Sequence, residues 1–377
     1  MNKKKITATL MMASVGGLMG FIIAFTTTKL MDQYDAGVGF ILLLLTFLFY
    51  FVAVALHEAG HAIAGVWVGF DFRLYVVGPF MWEKTNDKWS FKWNTNVNTS
   101  GGLVLCMPTE TNGLQKRFAW FAAGGPLASL FTFLLFALCF YLFQGRELSY
   151  AAQVLQGSLF VLAALSAFLF LITAIPFHMG GFSSDGARFI RLMRGGDHAA
   201  FEVSLLKVIA TSGSGETPER LNKQELVDAI ALGVKIKAPM AFYLYYYLFY
   251  RAWSLQEVEE AEYFLKKYLE HAEEVPDGIR NGLWLDAILF YGLEKKNKDE
   301  VMKYEQLFKP SPILAKISIH GATATSFLLK GDNDEAVKNF NLAIQNKNQA
   351  VDKGIAEFLK LKFEKEIKRI TFRPTLI

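Results

Sequence analysis

Cysteine is scarce in this chain: two in 377 residues. Cys106 and Cys139 are far apart, and both stand among apolar residues. That excludes a disulfide-framed scaffold and a C-x-x-C metal or redox motif, and leaves two passive core thiols. Charge is nearly balanced, with 39 Lys and Arg against 35 Asp and Glu. No Lys/Arg cluster interleaves with aromatics, so nothing marks a nucleic-acid surface. A glycine-rich nucleotide loop is missing too, which removes an energy-driven gate. Charge almost vanishes from one long stretch: between Ala36 and Phe70 the single formally charged side chain is Glu58.

What the chain has in abundance is apolar surface, 53% of residues, concentrated in the first 196. Four segments, residues 6–25, 40–70, 118–143 and 151–177, reach the roughly 20 residues that a helix needs to cross a bilayer. The first follows Lys3, Lys4 and Lys5 and lacks an A-x-A cleavage pattern, so it reads as a retained span. Basic residues set the orientation. Lys3 to Lys5 place the N-terminus in the cytoplasm. Arg73, Lys84, Lys88, Lys92, Lys116 and Arg117 fall between spans two and three, and Arg188, Arg191 and Arg194 follow span four. The proposed outside loops hold only Lys29 and Arg146. A multi-pass protein of the cell membrane with both termini cytoplasmic is expected, its spans in contact with the lipid bilayer. Between spans two and three, Arg73–Val77 and Lys88–Trp93 have strand composition around a polar turn. Trp82, Trp89 and Trp93 suit a membrane interface, so a small interfacial β-hairpin is expected.

Glu58 belongs to His57-Glu58-Ala59-Gly60-His61, an H-E-x-x-H late in the second span. At i and i+4 the two imidazoles share one helix face and can share a metal. Zinc takes such nitrogens and leaves a place for water when three protein ligands hold it. Glu58 is then the general base for that water. At 1.5 Å per residue His57 lies roughly 25–29 Å along the span, near the cytoplasmic face. Gly60, Gly65 and Gly69 lighten this end of the helix and read as packing positions. A third ligand must come from elsewhere. Asp185, on a Gly-rich turn just past span four, is one candidate, and His178 competes on spacing.

The chain resembles the site-2 protease family of intramembrane zinc metalloproteases over about residues 38–190. Its H-E-x-x-H corresponds to His57–His61, its N-x-x-P … D-G motif to Thr173-x-x-Pro176 … Asp185-Gly186, and its G-P-x-x-N to Gly125-Pro126-Leu127-Ala128-Ser129. The resemblance implies Asp185 as third zinc ligand, with His178 a neighbouring or plain loop residue. It also places Thr173 and Ser129 where the family usually has Asn, a residue expected to hold substrate backbone or the polar centre of the site. A hydroxyl lacks the amide's paired donor and acceptor. Expected substrates are membrane-embedded or membrane-adjacent proteins and peptides: single-span proteins, anti-sigma-type regulators or signal-peptide remnants. The contrasting expectation is an inactive zinc-binding scaffold. A zinc transporter fits poorly, because no second polar cluster lines a path across the bilayer.

After Asp197 the chain reads as helices without a span. Phe242–Tyr250 is aromatic-rich but too short to cross a membrane, which points to a buried helix. Segments around Glu259-Glu260-Ala261, Asp299-Glu300-Val301 and Asp334-Glu335-Ala336 are similar, each followed by an aromatic: Phe264, Tyr304, Phe340. Spacing near 34 residues suggests a tetratricopeptide-like array, with a plain bundle as the alternative. Stacked helices of this sort bind partners. His198, His271 and His320 are isolated. The expected protein is therefore mostly α: a transmembrane zinc-protease domain over residues 1–196, and a cytoplasmic all-α domain over 197–377 for a cytoplasmic protein partner. The short outside loop, residues 144–150, has no room for the PDZ module of some relatives.

Overall fold

A computed structural model of the chain describes residues 34–35, 37–85, 88–94, 101–143, 148–179, 182–238, 240–275, 277–310 and 314–371. Two compact units result. One takes the described residues of Met1–Met81, Thr99–Cys106 and Gln115–Arg194; the other takes those of Trp82–Asn98, Met107–Leu114 and Gly195–Ile377. The sequence suggested one cut near residue 196; two short segments of the loop region also group with the helical unit.

In the first unit, α1 (Val38–Trp67) is rich in Leu, Phe, Val and Ala and has no proline. Its one threonine is satisfied internally, Thr46 donating to the Leu42 carbonyl at 2.7 Å, as lipid requires. Phe40, Leu44, Phe47, Ile63 and Trp67 point outward and are more than half exposed. Such a face is stable in hydrocarbon and an aggregation hazard in water. With α2 (Leu114–Leu142) and α3 (Tyr150–Ala174), three described helices are long and apolar enough to cross a membrane. The expected first span, residues 6–25, lies outside the described residues.

The helices meet where side chains are smallest. A Cβ on Gly60 would lie 2.3 Å from the Gly124 carbonyl oxygen, and one on Gly124 would lie 2.4 Å from that of Gly60. The backbones of α1 and α2 therefore touch at these two glycines, the close approach that small residues permit. At the end of α1, Arg117 donates to the Val68 and Gly69 carbonyls at 2.6 and 3.0 Å, satisfying groups the helix terminus leaves open.

After α1 come β1 (Phe70–Val77), β2 (Phe80–Thr85) and β3 (Lys88–Trp93), then β4 (Leu103–Pro108). They form a four-stranded sheet in the order β3-β2-β1-β4. Two of these strands go beyond the expected hairpin. β2 was hidden by its charged pair Glu83 and Lys84. β4 is a short apolar run between Gly101-Gly102 and Pro108, which periodicity alone does not identify as strand. Tyr75 in β1 donates to the Ala55 carbonyl of α1 at 2.5 Å. Burial and the nearby Glu58 charge push its phenol up to about 12, so it remains a donor. Beyond α3, β5 (His178–Met179) pairs antiparallel with β6 (Phe182–Ser183), and α4 (Asp185–Arg194) follows at once.

The second unit holds α5 (Asp197–Gly213), α6 (Lys223–Lys235), α7 (Leu244–Ser254), α8 (Val258–Glu270), α9 (Asp277–Leu293), α10 (Lys298–Leu307), α11 (Lys316–Lys330), α12 (Asn333–Gln345) and α13 (Lys353–Thr371). Sequential helices pack as pairs: α7 with α8, α9 with α10, α11 with α12. The three similar segments fall in the second helix of each pair, and Ala261, Val301, Ala336, Phe264, Tyr304 and Phe340 are all buried. The aromatic stretch of α7 is core: Tyr247, Phe249, Tyr250 and Trp253 are fully enclosed with Phe290 and Phe363.

Candidate metal centre

His57 and His61 sit one turn apart on the buried face of α1, and their Nε2 atoms each lie 3.4 Å from Asp185 Oδ2. These three residues form a group whose ligand atoms converge closely enough to hold a metal ion.

Asp185 arrives through local chemistry at its own helix end. Ser184 is the N-cap of α4: its Oγ accepts from the Ala187 amide at 3.2 Å. The same oxygen accepts from the Phe177 amide at 3.1 Å and donates to the Ile175 carbonyl at 2.8 Å. One hydroxyl therefore ties the start of α4 to the frayed end of α3. Gly186 permits the approach, since a Cβ there would lie 1.9 Å from the Ala174 carbonyl oxygen. Asp185 is left in the first turn of a helix, where the macrodipole favours negative charge.

The imidazoles are oriented from behind. His61 Nδ1 lies 2.9 Å from the Phe121 carbonyl, which can only accept. The Gly125 amide stands 3.3 Å from the same nitrogen, but the shorter contact to an obligate acceptor makes Nδ1 the proton carrier. Nε2 then presents a lone pair toward Asp185. His57 Nδ1 pairs with Ser129 Oγ at 2.9 Å, and with the hydroxyl accepting, its Nε2 is free in the same way. In that tautomer two imidazole lone pairs and a carboxylate oxygen face one point, an arrangement that a cation among them stabilises. The spacing suits that cation: ligands about 2.1 Å from a tetrahedral metal are about 3.4 Å apart. Two nitrogens and a carboxylate oxygen are also a donor set that zinc accepts. Gly125 keeps the remaining side clear, because a Cβ there would come within 2.3 Å of His61 Nε2 and 2.6 Å of His57 Nε2.

Glu58 is buried beside the pair. Among the described residues no hydrogen bond engages its carboxylate, so both oxygens remain available to a water. Gly102, ahead of β4, lies against it: a Cβ there would meet Glu58 Oε1 at 2.3 Å.

Residues 45–367 match the model of peptidase family M50. The chain belongs to this family, the site-2 proteases. Membership makes it a membrane metalloprotease at family level, and the match runs through nearly the whole helical unit of this M50 chain. No curated protein and no solved structure matches it.

The other residues expected near the site, Ser129, Thr173 and His178, separate in the fold. Ser129 is almost fully buried and spends its hydroxyl on His57. Thr173 donates to the Leu169 carbonyl at 2.7 Å, inside its own helix, and makes no hydrogen bond to the three clustered residues. The His178 backbone pairs with Ser183 in β5–β6; its side chain lies outside the described residues. Sequence reasoning missed Ser184, Gly102 and the Phe121 carbonyl. A Ser directly ahead of Asp-Gly carries an N-cap signal that could have pointed to the first. A backbone carbonyl and a glycine packed against Glu58 have no signal in one sequence.

Proposed function

We propose that the chain is an intramembrane zinc endopeptidase that hydrolyses peptide bonds in membrane-embedded or membrane-adjacent segments. His57, His61 and Asp185 are the residues that hold zinc, whose chemistry when bound is to acidify water and polarise a carbonyl. Ser129 and the Phe121 carbonyl fix the imidazole rings so that Nε2 faces the metal position. Glu58 takes the proton of the attacking water and delivers it to the leaving amine. The observation that carries this reading is the convergence of the two Nε2 atoms on Asp185 Oδ2 beside an unengaged Glu58. Helical carbonyls are shielded by their own hydrogen bonds, so the substrate segment unwinds before attack. With Thr173 turned back on its helix, substrate backbone is held by other groups.

The orientation is part of the proposal: both termini cytoplasmic, supported by Lys3 to Lys5 and the basic residues flanking the spans. A cysteine at Ser149 is then labelled from outside, one at Thr217 only after permeabilisation. Labelling of position 217 in intact cells overturns it. The helical unit, with its sequential helix pairs, is the proposed recruiter of a cytoplasmic partner, in a tetratricopeptide-like manner.

Glu58→Gln tests the chemistry. The variant keeps volume and metal ligands, so zinc stays while turnover falls at least about 10²–10⁴-fold. His57→Ala, His61→Ala and Asp185→Ala lose zinc and activity together, and His178→Ala keeps most zinc. Unchanged cleavage by Glu58→Gln rejects the protease reading and favours a metal-stabilised scaffold.

A further inference from the structure

The helical unit holds a cavity of about 230 Å³ that none of the metal-centre residues lines. Three tyrosines form one wall. Tyr243 and Tyr246 stack with ring centroids 5.3 Å apart, and Tyr268 meets both edge-on at 6.3 and 6.2 Å. Three carboxylates share the lining: Glu83, Asp286 and Asp352. Lys92 pairs with Glu83 and neutralises it. The other two have no Lys, Arg or His partner among the described residues.

The two aspartates differ. Asp352 is well satisfied, accepting from Ser212 Oγ at 2.6 Å, from the Ile355 amide at 3.0 Å and from Tyr247. Asp286 is only 5% exposed and takes one bond, from Tyr250 Oη to Oδ1 at 2.5 Å. Its second oxygen, Oδ2, has no hydrogen-bond partner among the described residues, although the side chain lines the cavity. A half-satisfied carboxylate that lines a cavity is stabilised in its charged form when a cation completes it. Aromatic faces beside it supply the second half of a cation site. The cavity is smaller than the 300–1,000 Å³ typical of drug-sized ligands, which limits the guest to one side chain or a small amine.

We infer that this cavity binds a primary ammonium group, with Asp286 as its counter-ion and Tyr243, Tyr246 and Tyr268 as its aromatic walls. The site is separate from the metal centre and does not depend on the protease reading. The ammonium belongs either to a lysine side chain of a peptide or to a free diamine.

The test uses the full-length protein in detergent, titrated with N-acetyl-lysine N-methylamide, its norleucine counterpart and 1,5-diaminopentane, with tyrosine and tryptophan fluorescence and calorimetry as readouts. The lysine compound or the diamine is expected to bind saturably, and the tighter of the two identifies the source. The uncharged norleucine compound binds at least tenfold more weakly than the lysine compound. Asp286→Asn, which retains the acceptor for Tyr250, lowers ammonium affinity at least tenfold while its melting curve stays cooperative. Tyr268→Leu lowers it about two- to thirtyfold, the range of a lost cation–π contact. If Asp286→Asn does not fold, Tyr268→Leu and the norleucine comparison decide. Equal binding of norleucine, unchanged affinity in Asp286→Asn or Tyr268→Leu, or no saturable amine binding up to about 10 mM overturns the inference.

Discussion

Each unit of this protein turns an aspartate inward, and the two are treated differently. Asp185 opens a helix, faces two imidazole nitrogens at 3.4 Å, and is positioned by the hydroxyl of Ser184. Asp286 stands in the middle of α9 with a single phenolic donor and aromatic walls. Around Asp185 the two imidazoles and Ser184 have partners that fix them: Ser129 and Phe121 behind the imidazoles, Ile175 and Phe177 on Ser184. Around Asp286 one oxygen is left over. A preorganised ligand set and an incomplete counter-ion are thus built from the same side chain, and the surroundings alone distinguish them.

Four measurements sharpen or break this contrast. The largest expected effect is at Gly186. Adding a methyl in Gly186→Ala drives α4 off the Ala174 carbonyl and displaces Asp185. A shift of about 1 Å at a reacting centre lowers rate about 10²-fold; zinc content and cleavage should fall together, and full activity would mean that α4 is not held as described.

In the helical unit, Trp253→Ala removes a fully enclosed indole that also donates to Glu294 Oε1 at 2.7 Å. A loss of about 3–5 kcal/mol is expected in thermal or denaturant unfolding of that unit. Zinc measured on the same variant then reports whether the two buried sites respond separately.

Ser184→Ala removes the N-cap of α4 and a donor to α3. About 0.5–2 kcal/mol of stability should disappear, with weaker zinc retention as the sign that this hydroxyl positions Asp185. Zinc affinity equal to that of the parent protein would assign Asp185's placement to Gly186 packing alone.

The smallest effect is a pH slope. Burial raises the Asp286 carboxyl from 3.8 to about 7, against a single hydrogen bond from Tyr250 that lowers it. A folded-state pKa above the unfolded one means the folded chain holds the proton more tightly. The associated stability is complete below about pH 4 and is lost as pH rises to about 7. Melting of the helical unit without added amine should therefore weaken across that window, and Asp286→Asn should flatten the slope. A saturating amine should offset the loss at pH 8; an identical slope in parent and variant would remove Asp286 from the account.

Much of the membrane unit was legible from the chain. The i, i+4 histidines and the nearly charge-free run around them follow from residue type and spacing, because helix periodicity and lipid burial act locally; the two later motifs were legible only through the family resemblance. The three described membrane-length helices overlap expected spans, although α2 begins at Leu114, ahead of the apolar run, carrying Lys116 and Arg117 into the helix. Strands β2 and β4 were less legible, since their pairing depends on partners distant in sequence.

By itself the sequence determined which side chains could serve a metal and which helices are long and apolar enough to cross a membrane, since each follows from composition and short-range period. Only the tertiary structure decided what those side chains do. It turned Ser129 toward His57 and Thr173 back into α3, and it gave His61 a backbone carbonyl that no residue pattern encodes. It also gathered Tyr243, Tyr268, Asp286 and Asp352 around one cavity from positions more than a hundred residues apart. The physical reason is the same in each case: a hydrogen bond or a cavity wall requires groups within a few ångströms, and that proximity is created by packing between elements, not by order along the chain.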